Sequence, residues 1–172
     1  MIIDLSKSQE PVDLHADVCI VGGGAAGITL TRALAKDGLE VCLLESGGWD
    51  YEPAIQDLAD GSQTGFPYYN LRDSRLRFLG GTTSIWGGRC AELDDIDFER
   101  RAWVAHSGWP FGKDELRPYY RKVEEDLGLA VFDGGPDTWR LHRLAPPPFD
   151  ANEVTSSFWQ FDMMADRFAA SR

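Results

Sequence analysis

Gly22, Gly24 and Gly27 fill a G-x-G-x-x-G pattern in which each glycine has a separate task. Gly22 permits a tight turn, Gly24 lets backbone approach a pyrophosphate, and Gly27 allows a helix to pack closely on a strand. A helix that opens behind such a turn offers unpaired N–H donors and partial positive charge to a diphosphate. Glu45 stands about 20 residues further on, where a carboxylate accepts hydrogen bonds from a ribose diol. An acid there disfavours a 2′-phosphate, which points to an NAD-like or FAD-like ligand over NADP.

The elements needed to position these groups can be read around them. Val18, Ile20 and Val21 form an apolar strand leading into the turn, and residues 40–44 form a second one ending at Glu45. Residues 25–36 have helical spacing, with Ala26, Leu30, Ala33 and Leu34 on one face. Strand, turn, helix, strand and acid in this order define a dinucleotide site. A second glycine cluster follows in residues 75–89, around Gly80, Gly81, Thr82, Thr83, Trp86, Gly87 and Gly88. It is too rich in glycine and hydroxyls for a helix and too poor in alternation for a plain strand. It supplies N–H groups, small side chains and hydroxyls for running the chain along an extended polar ligand.

These motifs resemble the glucose-methanol-choline oxidoreductases, FAD-dependent oxidases and dehydrogenases of alcohols and sugars. The resemblance rests on residues 21–27, 44–48, 79–88, 103–110 and 116–120, and covers the chain from about Asp17 onward. The G-G-T-T-x-x-W-G-G form looks most like the sugar- and gluconate-oxidising branch. It implies an α/β fold, an FAD-binding Rossmann-like (doubly wound) domain. Gly22, Gly23, Gly24, Ala25, Ala26 and Gly27 would hold the FAD diphosphate, and Glu45, followed by Ser46, the adenosine ribose. Gly80, Gly81, Thr82 and Thr83 would line the diphosphate and flavin, with Trp86 and Gly87 against the isoalloxazine. Arg75 or Arg77 would reach the adenine or phosphate end, or both lie on a solvated face. Ile85 occupies the position at which some members attach flavin through histidine, so noncovalent FAD is expected.

Other chemistry is sparse. The family's base is a histidine of the C-terminal half, and His15, His106 and His142 are poor candidates, so no catalytic residue is assigned here. Hydride would pass to flavin N5 and the proton to a base supplied by a missing C-terminal half. Cys19 and Cys42 are expected at buried strand positions and Cys90 stands alone, so no metal site is expected. The acidic run of residues 94–97 lacks the glycine and distal glutamate of a calcium loop and reads as a turn before Phe98. Trp103, Trp109, Pro110 and Phe111 read as an aromatic packing core. Residues 113–127 form an amphipathic helix with Tyr119, Tyr120, Val123 and Leu127 on its apolar side.

The 172 residues carry a net charge of −11, which argues against nucleic acid and anionic membrane surfaces. The 43% of hydrophobic residues is enough for a core, but no run approaches the roughly 18 residues of a membrane span. The first ten residues lack the pattern of a secretory signal, and the three thiols fit a cytoplasmic, reducing setting. Residues 1–15 read as a polar leader and 16–149 as the N-terminal portion of an FAD-binding domain. Residues 150–172 read as the start of a substrate domain or connection, with a strand at 154–161 of a different sheet and a helical stretch from 162. With two parallel strands legible, the sheet is expected to be incomplete and the chain to be the front of a longer enzyme. The expected partners are a small alcohol or sugar and the remainder of the same enzyme. The alternatives are a truncated, non-catalytic nucleotide-binding fragment or an NAD-binding module of another oxidoreductase.

Overall fold

A computed structural model describes residues 1–129, 136–150, 152–154, 156 and 158–161; the helical stretch expected from residue 162 lies outside them. The chain divides into two compact units, the first holding residues 1–86 and the second beginning at Gly87. The second glycine cluster therefore straddles the boundary.

In the first unit, strand β1 (Val18–Val21) pairs in parallel with β2 (Val41–Leu44), Val18 opposite Val41 and Val21 opposite Leu44. Helix α1 (Ala25–Lys36) is the crossover between them. Two short helices follow, α2 (Pro53–Gln56) and α3 (Leu71–Ser74). Pro53 opens α2 at a position where its missing N–H costs nothing. Asn70 caps α3 by accepting from the Arg72 N–H at 3.0 Å.

The sheet buries only one face. Ile20 points into the packed side, while its neighbours Cys19 and Val21 are exposed, Val21 to 82%. The buried position expected for Cys19 is thus corrected, and Cys42 is half-buried. Strand residues alternate between faces, and α1 covers one of them only. The core expected from composition is correspondingly small: among the described residues the buried hydrophobics are Ile20, Phe98 and Leu127. The packed stripe of α1 keeps Ala33 and Leu34, both partly buried, but not the rest of the expected face: Leu30 is 49% exposed and Ala26 is exposed, while Gly27 and Thr31 are partly buried, at i and i+4 before Leu34 at i+7. The close approach at Gly27 selects that stripe.

In the second unit, β3 (Arg89–Cys90) pairs antiparallel with β4 (Gln160–Phe161). The strand expected at 154–161 is therefore short, in a sheet separate from the parallel pair. Helix α4 (Asp95–Phe98) turns the acidic run into a capping box, with the Asp94 N–H donating to Asp97 at 2.9 Å. Phe98 then packs with Trp109 and Phe111, ring centroids 5.5 to 6.4 Å apart. Trp103, expected in this cluster, is 81% exposed. Four residues after Glu99, it sits in the turn that precedes the cluster's second half.

Helix α5 (Lys113–Leu127) starts with Asp114 and Glu115 against the positive end of its dipole and ends at left-handed Gly128. Its buried stripe runs through Leu116, Tyr120, Glu124 and Leu127, while the expected Tyr119 and Val123 are exposed. Helix α6 (Pro136–Leu141) completes the described elements.

Candidate functional site: two glycine segments beside Glu45

The turn after β1 continues the ladder by one bond, from the Gly22 N–H to the Leu44 carbonyl at 2.7 Å. Gly22 then takes φ 108°, which only glycine adopts at little cost. Gly24 is the N-cap of α1, with no side chain of its own to satisfy the first N–H groups. Ala25 and Ala26 form the first helical residues, Ala26 exposed.

The glycines differ in what surrounds them. A Cβ on Gly27 would overlap the Gly22 carbonyl oxygen and touch Ile20, so helix and strand meet there backbone to backbone. A Cβ on Gly23 would meet Leu79 at 2.9 Å and Glu45 at 3.2 Å. Beside Gly22 and Gly24, by contrast, a Cβ would find nothing within 4 Å. The turn is closed towards the protein and open on the side of its helix-cap donors.

Glu45 occupies the end of β2 and holds the turn from the other strand. Its Oε2 accepts from the Gly23 N–H at 2.7 Å. Its Oε1 accepts from the Ser46 N–H at 2.7 Å, the Ser46 hydroxyl at 2.9 Å and the Gly47 N–H at 3.1 Å. Partial burial alone pushes the Glu45 carboxyl up, but the N–H donors of Gly23 and Gly47 with both Ser46 donors outweigh it and hold it below the usual range. Oε1 is saturated, whereas Oε2 keeps a lone pair.

The second glycine segment lies against the first. The Gly80 N–H donates to the Gly23 carbonyl at 2.7 Å, Gly24 and Gly80 form an isolated parallel bridge, and Gly81 faces the Gly24 Cα. Gly80 and Gly81 have φ 92° and 57°, and Gly81–Ser84 form one 3-10 turn. The Thr83 hydroxyl donates to the Gly80 carbonyl at 2.5 Å, and the Thr82 hydroxyl accepts from the Leu76 N–H at 3.1 Å. Upstream, the Leu79 N–H reaches the Gly48 carbonyl at 3.0 Å. Gly22, Gly23, Gly24, Gly27, Glu45, Ser46, Gly80 and Gly81 are thereby joined by hydrogen bonds and close backbone contacts. Trp86 is half-buried at the end of this unit, and Gly87 belongs to the other.

Two polar atoms near the second segment, Arg77 Nε and Ser84 Oγ, are buried without a hydrogen-bond partner among the described residues. Buried donors of this kind are costly unless something pairs with them, and they suit an anionic, hydroxyl-rich ligand. Arg75, the other arginine considered, is exposed. The open flank at Gly24, the helix-cap donors and these atoms fit the diphosphate of a dinucleotide. Sequence reasoning missed Gln56 of α2, which is buried beside this segment; its only signal was Pro53 as a helix start.

The other candidates lie apart. His106 takes φ 59° and lines an open cavity of about 630 Å³ with Arg100, Arg101 and Trp109 in the second unit. It has no hydrogen-bond partner among the described residues. His142 stacks on Phe158 with centroids 5.9 Å apart. No group of three or more His, Cys, Asp or Glu among the described residues could hold a metal. None of the helices described is long and apolar enough to cross a membrane.

A parallel strand–glycine turn–helix–strand unit with a carboxylate at the second strand end defines a dinucleotide-binding α/β protein. Residues 17–160 match the family described as FAD dependent oxidoreductase, and the chain belongs to it. It is 31% identical over 156 residues to paromamine 6'-oxidase of Streptomyces fradiae, covering 80% of this chain and 27% of that protein. It is 32% identical over 142 residues to an oxygen-dependent choline dehydrogenase of Paraburkholderia xenovorans, covering 69% and 25%. To 2-methyl-1,2-propanediol dehydrogenase of Mycolicibacterium austroafricanum it is 27% identical over 147 residues, covering 71% and 26%. These relatives are glucose-methanol-choline-type oxidoreductases, and the cofactor of the group is FAD. The chain spans about a quarter of the length of the curated relatives it matches.

Proposed function

We propose that this chain is the FAD-binding part of a flavin-dependent oxidoreductase acting on CH–OH groups of alcohols or sugars. The observation that carries the reading is the meeting of the two glycine segments beside Glu45, through the Gly80–Gly23 and Gly23–Glu45 hydrogen bonds. The diphosphate lies along the open flank of Gly22 and Gly24 and the first N–H groups of α1. Glu45 Oε2 receives a ribose hydroxyl with its remaining lone pair. Thr82, Thr83 and Trp86 extend the contact toward the flavin. Bound FAD supplies the hydride acceptor. This chain's residues bind and orient it, and the base that takes the hydroxyl proton is supplied by the remainder of the enzyme.

FAD is held noncovalently, since Ile85 has no atom able to bond it. The three free thiols and the acidic charge favour a cytoplasmic protein whose partners are small molecules. Titration of the chain with FAD, NAD and NADP tests the reading. FAD is expected to bind with quenched flavin fluorescence, NADP not to bind, and acid precipitation to release all the flavin. NAD binding in preference to FAD would overturn the assignment, and flavin retained in the acid pellet would overturn the noncovalent link. No turnover of alcohols or sugars with a dye acceptor is expected from this chain alone; activity above a flavin-only control would refute that.

A further inference from the structure

We infer that Gln56 is the positioning residue that sets the second glycine segment over the first, and through it the hold on the diphosphate–flavin end of FAD. The inference rests on the FAD reading above. Gln56 is 1% exposed and is the one large side chain fully buried among the described residues. A buried amide is costly unless every polar atom is paired, and here every one points at the same stretch of backbone. Its Nε2 donates to the carbonyls of Arg72 and Arg75, both at 2.6 Å, and its Oε1 accepts from the Arg77 N–H at 3.1 Å.

Arg75 and Arg77 belong to no strand and Arg72 to the single turn of α3, so these backbone groups have no ladder to satisfy them. Gln56 supplies one edge of a ladder from a side chain. From that clamp the chain runs without slack to the cleft. Arg77 lies against Gly47, where a Cβ would overlap the Arg77 carbonyl oxygen. Leu79 is tied to Gly48, and Gly80 to Gly23 at 2.7 Å. The opposite end of α2 is fixed to the same frame, because Glu52 Oε1 accepts from the Gly48 N–H at 3.1 Å. Asp57, directly after α2, forms an ion pair with Arg72 from the solvent side. A displacement at Gln56 therefore reaches Gly80 through Arg77 and Leu79, whereas Glu45 also keeps the Gly23 and Ser46 donors, which do not pass through Gln56.

The test compares FAD with AMP, which carries only the adenosine and one phosphate, as ligands of the full 172-residue chain by calorimetry. Gln56→Glu preserves shape but turns a carboxylate oxygen toward two carbonyls. It is expected to weaken FAD about tenfold, or about 1.4 kcal/mol, and to leave AMP within about twofold. Asp57→Asn loosens the same stretch at an exposed pair without threatening the fold. It is expected to weaken FAD about two- to threefold, again with AMP unchanged. Unaltered FAD affinity in Gln56→Glu, or equal loss of FAD and AMP, would overturn the inference while leaving the FAD reading intact. Should Gln56→Glu not fold, unaltered FAD affinity in Asp57→Asn has the same force. Failure of the unmodified chain to bind either ligand would overturn the FAD reading and the inference with it.

Discussion

Replacing Gly27 by alanine sets two physical effects against each other. In an ordinary helix interior the change would stabilise by about 1 kcal/mol, because alanine loses less backbone freedom on folding. Here the new Cβ would overlap the Gly22 carbonyl oxygen and lie 3.1 Å from its carbon, while ordinary contact begins at 3.4 Å. Relief requires the start of α1 to retreat from β1 by roughly 1.5 Å, a shift of the size that makes overpacked cores lose about 1–3 kcal/mol. The Gly22 carbonyl is backbone inside the turn and cannot swing aside as a flexible side chain would. Clash outweighs propensity, and a net loss of about 1 kcal/mol is expected, read as a fall in melting temperature of roughly 4–8 °C for a unit of this size. The assay is thermal and urea unfolding of the full chain by far-ultraviolet circular dichroism. Gly24→Ala serves as its partner, since that Cβ meets nothing within 4 Å and φ −82° suits alanine. It is expected to cost only about 0.5 kcal/mol as a poorer N-cap but to reduce FAD affinity at least tenfold. A Gly27→Ala chain as stable as the parent, or more so, would refute the reasoning.

Glu45→Gln is expected to destabilise the first unit by about 1–3 kcal/mol, because an amide cannot accept all four donors that the carboxylate now holds. The lowered carboxyl of Glu45 contributes stability above its unfolded range and loses it as pH falls through its folded value. Acid titration of unfolding between about pH 5 and pH 2 should therefore cost the parent more than the variant, and parallel curves would contradict this. Glu124 has the opposite sign. Burial raises its carboxyl, Arg121 at 3.8 Å offsets part of the rise, and Glu92 adds to it. Its charged form thus costs stability as pH rises through the raised value, and Glu124→Gln should melt higher than the parent at pH 7. A lower melting temperature would show that the Arg121 pair outweighs the burial.

Helices α1 and α5 were legible to the residue, since each carries a strong apolar pattern at helical spacing. What periodicity could not give was the face. On α1, apolar spacing selected Ala26 and Leu30, but the contact made by Gly27 turned Thr31 toward the sheet. On α5, Glu124 took a buried place that no hydropathy pattern would assign to an acid. Cys19 was misplaced because an apolar strand looks buried on both sides until the elements that cover it are counted. In the cleft, glycine spacing and the distance to Glu45 announced the turn, and G-G-T-T announced its neighbour. Gln56 was hidden because its role depends on three backbone groups 16 to 21 residues away, and a single glutamine in a four-residue helix has no periodic signature.

One carboxylate in this protein answers to two constraints at once. The Glu45 side chain that tethers Gly23 is also the acid expected at the ribose. Evolution toward a 2′-phosphorylated ligand would ordinarily begin by exchanging such an acid for a shorter or basic residue. Here that first step would strand the N–H groups of Gly23, Ser46 and Gly47 before any new preference could be rewarded. A lineage could cross that barrier only by rebuilding the loop of residues 44–48 in the same step. On the proposed reading, the folding of the loop itself would hold the choice of nucleotide in place, independently of selection on the reaction.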